Sequence, residues 1–405
     1  MLLSRLHRSD TALTRESPIT EAAAVGSGDN TVIATIALAA VAALVLKLSL
    51  LPLSNTDMTE YVLPWLEATR EQGFAVLGDE ITDYSPAYSY LLLIAAGLLD
   101  WVKPISAVKL ISLAGDVVLA SLAGLLAHAL GAGRARTAVT AVVIFALPSV
   151  LINSSAWGQT DAIWASAILG AVLAMLRGRP AVAVLLYGLA VAYKPQAVFL
   201  GPILLAFLLA RRQPGWLLLL PLPYLLLALP PLLMGRSFSS VFGVYFTVFG
   251  SLGEVSYDAP GLWSWRQLLG KTSNAEVMVG LALGVATGIV LTMLALRRGG
   301  WRLHDQALLH AAALSCALLP FVTPKMMGRY FYASEVMLAI AACLNPLLLP
   351  GAIASQIAAL LAYEPFLLGL VNWRVPLAVL FNLLAIGLVS QVWLRAGFFQ
   401  RSRQS

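Results

Sequence analysis

Seven carboxylates crowd the segment 54–86, SNTDMTEYVLPWLEATREQGFAVLGDEITDYSP: Asp57, Glu60, Glu67, Glu71, Asp79, Glu80 and Asp83. The whole chain carries 20 acids, so this density belongs to the segment, where Tyr61, Trp65, Phe74 and Tyr84 are interleaved among them. Asp57 follows the apolar Leu50-Leu51-Pro52-Leu53 across a turn made by Ser54 and Asn55. A carboxylate at such a boundary, partly shielded from water, can take a proton from a sugar hydroxyl as a general base, work worth ~10²–10⁴ in rate. The same position suits the N-cap of a helix over 58–72 with Tyr61, Trp65 and Leu66 on its apolar face, and spacing alone does not separate the two. Asp83, in front of Tyr84-Ser85-Pro86, is a second candidate acid or a turn former.

Other polar clusters stand between apolar runs. Trp157, Gly158, Gln159, Thr160 and Asp161 open a helix. A charge near lipid costs ~2.5–3.5 kcal/mol at a helix centre, so Asp161 needs a partner. Thr160-Asp161 also fits a plain helix start and Trp157 an interface anchor, but an amide beside an indole is a common way to hold a sugar ring. Lys194, where an apolar run meets Pro195, and Arg329, in MMGRYFY, are candidate phosphate ligands. Arginine offers a bidentate fork and lysine a point charge; snorkelling to headgroups is the competing role, more so for Lys194. Lys109 and Asp116 lie two turns apart on one helix and could pair structurally. Gly270-Lys271-Thr272 has Trp265 where a phosphate-binding loop needs glycine. His304 and His310 are on different helix faces, which argues against zinc. Gly280, Gly284 and Gly288 form a small-residue stripe suited to close packing within a bundle.

The elements that must position these groups are set by composition. Of the 405 residues 60% are hydrophobic and 11% charged, and mean hydropathy is +0.84. Soluble domains carry about a quarter charged residues, so lipid must receive the surplus apolar surface. The net charge of +6 comes from arginines in short clusters between apolar runs, a cytoplasmic-loop pattern rather than a nucleic-acid surface. Cys316 and Cys343 fall inside apolar runs and read as core residues.

Twelve runs approach the ~20 residues a crossing helix needs: 31–53, 106–130, 138–153, 161–176, 180–193, 196–210, 214–234, 275–296, 306–322, 331–347, 350–371 and 375–395. Run 88–99 is short. Leaving it as a dipping or interfacial helix puts Arg134/Arg136, Arg177/Arg179, Arg211/Arg212, Arg297/Arg298/Arg302 and Arg395, Arg401 and Arg403 on one side, with both termini cytoplasmic. The same parity gathers 54–105, 153–161, 192–196, 235–274 and 323–334 on the outer face, where a functional site is expected. Pro148, Pro195 and Pro202 interrupt apolar runs, as in broken helices that border a cavity. The polar stretch 1–30 reads as a loosely ordered cytoplasmic tail with Arg5, Arg8 and Arg15, not as a signal peptide.

In their order these residues resemble a known superfamily. Asp57 with Tyr61 and Trp65 comes first, then Tyr84, Pro86 and Tyr88, then Trp157, Gly158, Gln159 and Asp161. Lys194 with Gln196, Leu262 with Trp263, and Met326, Arg329 and Tyr330 complete the series. The pattern is similar to the GT-C polytopic glycosyltransferases, nearest to their bacterial mannosyltransferase branch and to family 87-like membrane glycosyltransferases. The resemblance runs from the first span to about Leu347; the last two spans add little. It implies a seven-helix module whose first outer loop carries the catalytic acid and a pair of interfacial helices. It further implies inverting transfer from a polyprenyl-phosphate sugar, Asp57 as base, and Gln159, Asp161, Lys194 and Arg329 near the donor or a divalent cation. One departure stands out: the family reads M-H-E-R-Y, and Met327 and Gly328 replace its His and Glu here.

The expectation is therefore an all-α polytopic membrane protein of about twelve transmembrane helices in the cytoplasmic membrane, its active site outside. It divides into a tail 1–30, a catalytic module 31–234 with outer loop 54–105, an outer loop 235–274, C-terminal helices 275–395 and a basic tail 396–405. Its partners are the lipid-linked donor, a glycan, lipid or protein acceptor and membrane lipid, with no nucleic acid. A polysaccharide or lipid transporter would need inverted repeats, and none is visible; a non-catalytic member of the fold is the other rival.

Overall fold

A helix that is apolar on every side has no face to give to water, and Asp161–Leu176 is such a helix, buried at nearly every position. It is the centre of the molecule. The Pro104–Ala129 and Pro180–Tyr193 helices pack along it, and Gln306–Val322 and Tyr332–Leu344 close around it. The computed structural model describes residues 18–298, 306–369 and 374–396. Arg5, Arg8, Arg15, Arg302, His304, Arg401 and Arg403 lie outside the described residues.

Seventeen α-helices are found among the described residues. By length and composition six could cross a membrane: Thr31–Leu50, Pro104–Ala129, Pro214–Leu233, Asn274–Arg297, Pro346–Leu368 and Val375–Arg395. The pair Arg134–Phe145 and Pro148–Trp157, bent by 47° at the proline, makes a seventh if counted as one span. The chain is thus a multi-pass membrane protein. The twelve expected crossings reduce to these six or seven on that measure. The remaining five, 161–176, 180–193, 196–210, 306–322 and 331–347, are shorter helices, 195–210 starting with a tight turn at Pro195. Pro86–Ala96 is 11 residues long. At 1.5 Å per residue it reaches about 16 Å, half a hydrocarbon core.

Three further differences from expectation are found. The first described helix, Pro18–Leu50, takes in residues of the stretch read as a loose tail. Two strands, β1 (Ser256–Tyr257) and β2 (Met326–Met327), pair in parallel, with an isolated bridge from Asp258 to Met327, and the rest of the regular structure among the described residues is helical. Two residues are too few to show alternation in a sequence. Lys109 and Asp116 do not pair: Asp116 takes Lys47 from the first helix at 2.7 Å, and Lys109 turns to backbone carbonyls. The glycine stripe packs within the chain, Gly280 against Trp263 and Pro324, Gly284 against Thr323 and Gly288 against Pro202.

A smaller apolar cluster fixes the first loop. Met58, Val62 and Leu66 meet Tyr88, Leu91, Leu92 and Ala95, and all rest on Ala107 and Val108. The segment holds two α-helices, Leu63–Gln72 and Pro86–Ala96.

Candidate functional site

Asp57 is half-buried at the start of the Met58–Val62 turn, and its side chain does not cap the helix that follows. Asn55 does that work: its Oδ1 accepts from the Met58 N–H at 3.0 Å, and its Nδ2 donates to the Trp157 carbonyl at 2.9 Å. The Asp57 carboxylate is therefore released from the backbone. Its Oδ2 accepts from Trp157 Nε1 at 2.8 Å and from Gln159 Nε2 at 3.4 Å. A hydrogen bond to a charged group contributes about 1.5–3 kcal/mol. Gly158, between these two donors, takes φ +87°, and a Cβ there would strike Met58, so the turn that aims both donors requires glycine.

Arg329 approaches the same indole from its face. The guanidinium carbon lies 5.6 Å from a Trp157 ring centroid, and Nη2 donates to the Tyr84 hydroxyl at 3.4 Å. Its Nε is buried without a hydrogen-bond partner, and Arg329 forms no ion pair among the described residues. Burial works against its charge. Tyr84, Asp161, Tyr330 and Asp57 together outweigh that and hold its pKa above the ordinary arginine value. Burial likewise pushes Tyr330 up to about 12, against the opposing pull of Arg329. Tyr84 continues into an aromatic wall: its ring is 4.7 Å from Tyr88 and 6.0 Å from Trp65, and Trp65 meets Tyr61 at 6.0 Å. Burial raises the pKa of Tyr88, so its hydroxyl stays neutral.

Asp161 and Lys194 form a buried pair at 2.6 Å, 0% and 4% exposed at the side chain. Asp161 is engaged at both oxygens: Oδ1 also accepts from Trp164 Nε1 at 2.8 Å, and Oδ2 from Asn153 Nδ2 at 2.8 Å. The Lys194 ammonium lies 5.5 Å from the Tyr84 ring centroid, so this pair and Arg329 share Tyr84. A chain of contacts thus runs from Asp57 through Trp157, Arg329, Tyr84 and Lys194 to Asp161.

Lysines deeper in the molecule hold this chain in place. Lys109 donates to the carbonyls of Leu53 at 2.7 Å, Ser155 at 2.9 Å and Ala156 at 2.8 Å, with Leu50 at 3.5 Å. A cation is favourable where helical segments end in free carbonyls, and this one ties the segment before Asp57 to the segment before Trp157. Asp116 with Lys47 also takes the Ser154 hydroxyl. On the other side, β1 pairs with β2 just before Arg329, and Lys325 donates to the Phe249 carbonyl at 3.1 Å. Segment 235–274 is thereby laid against the arginine segment. Ser85 and Tyr245 both donate to the Ala192 carbonyl, at 2.6 and 3.0 Å, two residues before Lys194.

Most of the sequence candidates therefore converge: Asp57, Trp157, Gln159, Asp161, Lys194, Arg329, Tyr330, Tyr84, Tyr88, Trp65 and, at the exposed end, Tyr61. Asp83 is exposed. Gln196 is buried in the turn after Lys194. Trp263 donates to the Val322 carbonyl at 2.7 Å and covers Gly280, fastening its helix to the wall. Asn55, Asn153, Trp164, Lys47, Tyr363 and Phe366 were not singled out from the sequence. A lone lysine in the first apolar run was a legible signal for Lys47. Tyr363 and Phe366, ordinary aromatics in the 350–371 run, gave none, yet both pack on Trp157.

Both Asp161 oxygens are taken by N–H donors, and among the described residues no cluster of three or more His, Cys, Asp or Glu could hold a metal.

Many apolar helices gathered around one cluster of charged groups and aromatic rings define a multi-pass membrane protein. Residues 82–327, more than half of the chain, match Glycosyltransferase family 87, and the chain belongs to that family of GT-C polytopic glycosyltransferases. No curated protein matches it. The matched region takes in Tyr84, Trp157, Asp161 and Lys194; Asp57 lies before it and Arg329 just after it.

Proposed function

We propose that the chain transfers a sugar, mannose in preference, from a polyprenyl-phosphate donor to an acceptor hydroxyl on a glycan, lipid or protein, with inversion. The acceptor oxygen bonds to the anomeric carbon as the bond from that carbon to the phosphate oxygen breaks. Asp57 takes the hydroxyl proton, and the electron pair leaves with the polyprenyl phosphate. Arg329 receives the growing negative charge, a stabilisation that is strong where water is excluded. Lys194, neutralised by Asp161, contributes a polar wall more than a free charge. Tyr61, Trp65, Tyr84 and Tyr88 offer flat faces for the sugar, with Gln159 beside them.

The observation that carries this reading is the separation of charge around Trp157. The carboxylate sits at the indole edge and the guanidinium over its face, 2.8 Å from the nitrogen and 5.6 Å from a ring centroid. Acid and cation share a neighbour without forming an ion pair, so both stay available to a substrate reacting between them.

This reading keeps the module 31–234 with outer loop 54–105 as the catalytic unit, loop 235–274 as a wall, and 275–395 as supporting helices. It also keeps twelve crossings, the five shorter helices completing the bundle, in the cytoplasmic membrane with the site outside. The arginine clusters support that orientation. Membranes bearing the protein are expected to transfer radiolabelled mannose from polyprenyl-phosphate mannose, and those bearing Asp57→Ala are not. Equal transfer by both removes Asp57 from its role.

A further inference from the structure

We infer that one turn of a C-terminal helix, Ala362 to Phe366 in Leu349–Leu368, positions the reacting groups, although it lies beyond the region that matches the family. This inference rests on the Asp57 reading above. Three contacts converge on the turn. Phe366 stacks on Trp157 with centroids 5.2 Å apart and planes 25° apart, and Tyr363 meets the same indole edge-on at 5.4 Å and 70°. Those two rings fix the plane of Trp157, and that plane decides where its N–H points. The N–H points at Asp57.

Tyr363 also reaches the second arm of the site. It is fully buried and lies against Asn153 and Glu335; Asn153 is the residue that donates to Asp161. The third contact is to the arginine segment. A Cβ placed on Gly328 would lie 2.7 Å from the Ala362 Cβ and 3.2 Å from the Ala362 oxygen. The helix therefore sits where a side chain at 328 would go, one residue before Arg329. Glycine at position 328 and the close approach of this helix are one arrangement. The turn touches Trp157, which donates to Asp57, Asn153, which donates to Asp161, and Gly328, which precedes Arg329. Tyr363 and Phe366 are positioning residues.

The test is a double-mutant cycle read in kcat and donor KM, with polyprenyl-phosphate mannose as donor and membranes as the enzyme source. Phe366→Leu keeps an apolar side chain but loses the stack, and Phe366→Met fills the same space with a flexible chain. Each is expected to lower kcat about 10-fold with donor KM changed less than about twofold, since a misplaced base slows the chemical step more than binding. In a Trp157→Phe background, which has no N–H to aim, the same replacements are expected to cost less than about twofold. A purely structural role predicts the full loss in both backgrounds. That result, or unaltered kcat for both Phe366 variants, overturns the inference. Asp57→Asn is measured alongside: if it is fully active, the Asp57 reading and this inference fall together. An inactive Asp57→Asn beside fully active Phe366 variants overturns this inference alone.

Discussion

Trp157 donates its indole N–H to Asp57 at 2.8 Å across 100 residues of chain, and Arg329 lies over the face of the same ring. One side chain thereby sets the spacing between a base and a cation. Trp157→Phe keeps most of the ring and removes the N–H. It is expected to lower kcat about 10-fold or more, matching the loss of one charge-assisted hydrogen bond of about 1.5–3 kcal/mol, while the protein stays folded by size-exclusion chromatography. Unchanged kcat means the hydrogen bond is incidental.

Arg329 should not tolerate a conservative exchange. Its fork can meet two phosphate oxygens, whereas lysine offers a point charge. Arg329→Ala is expected to lower kcat/KM for polyprenyl-phosphate mannose by about 2–3 kcal/mol, or roughly 30–150-fold, with Arg329→Lys in between. Equal kcat/KM for all three proteins would show that the phosphate is held elsewhere.

The Lys194–Asp161 pair is a matter of stability as well as function. Breaking a buried pair from one side leaves an uncompensated charge, at a cost of about 3–5 kcal/mol. Lys194→Met and Asp161→Asn should each lower the unfolding temperature in detergent clearly, and the double variant should be less destabilised than the sum. Additive losses would mean that the two charges do not depend on each other.

Lys109 ties the segment before Asp57 to the segment before Trp157 through backbone carbonyls alone. Lys109→Met keeps a long, unbranched side chain and removes the charge, so about 1.5–3 kcal/mol of stability or more should be lost. Activity should fall too, although Lys109 is not placed against substrate. Full activity with lowered stability would confine the lysine to folding.

At Gly328 the backbone lies so close to Ala362 that added volume must move a helix. Gly328→Ala is expected to cost about 1–3 kcal/mol by overpacking, measured by thermal unfolding. Ala362→Gly in the same chain should restore most of it. Failure of that restoration would locate the strain outside this contact.

The apolar runs were legible because lipid leaves the chain little choice: runs at 106–130, 275–296 and 375–395 became Pro104–Ala129, Asn274–Arg297 and Val375–Ala396. The residues between the apolar runs were legible as clusters too, since polar groups there are conspicuous. Pairing was not. Lys109 and Asp116 share a helix and a face, yet Asp116 is neutralised by Lys47 from 69 residues away, because bundle packing decides which charges meet. Asp57 as cap or base could not be separated by spacing; the structure gives the cap to Asn55. The final helices showed nothing distinctive in sequence, since Tyr363 and Phe366 acquire their role only by landing on Trp157.

The account depends most on a donor lying between Asp57 and Arg329, and a structure with bound polyprenyl-phosphate mannose measures that directly. The account predicts the phosphate within hydrogen-bond distance of the Arg329 guanidinium and the anomeric carbon turned toward the Asp57 side of Trp157. A phosphate seated away from Arg329, or an anomeric carbon shielded from Asp57 by the indole, would contradict it.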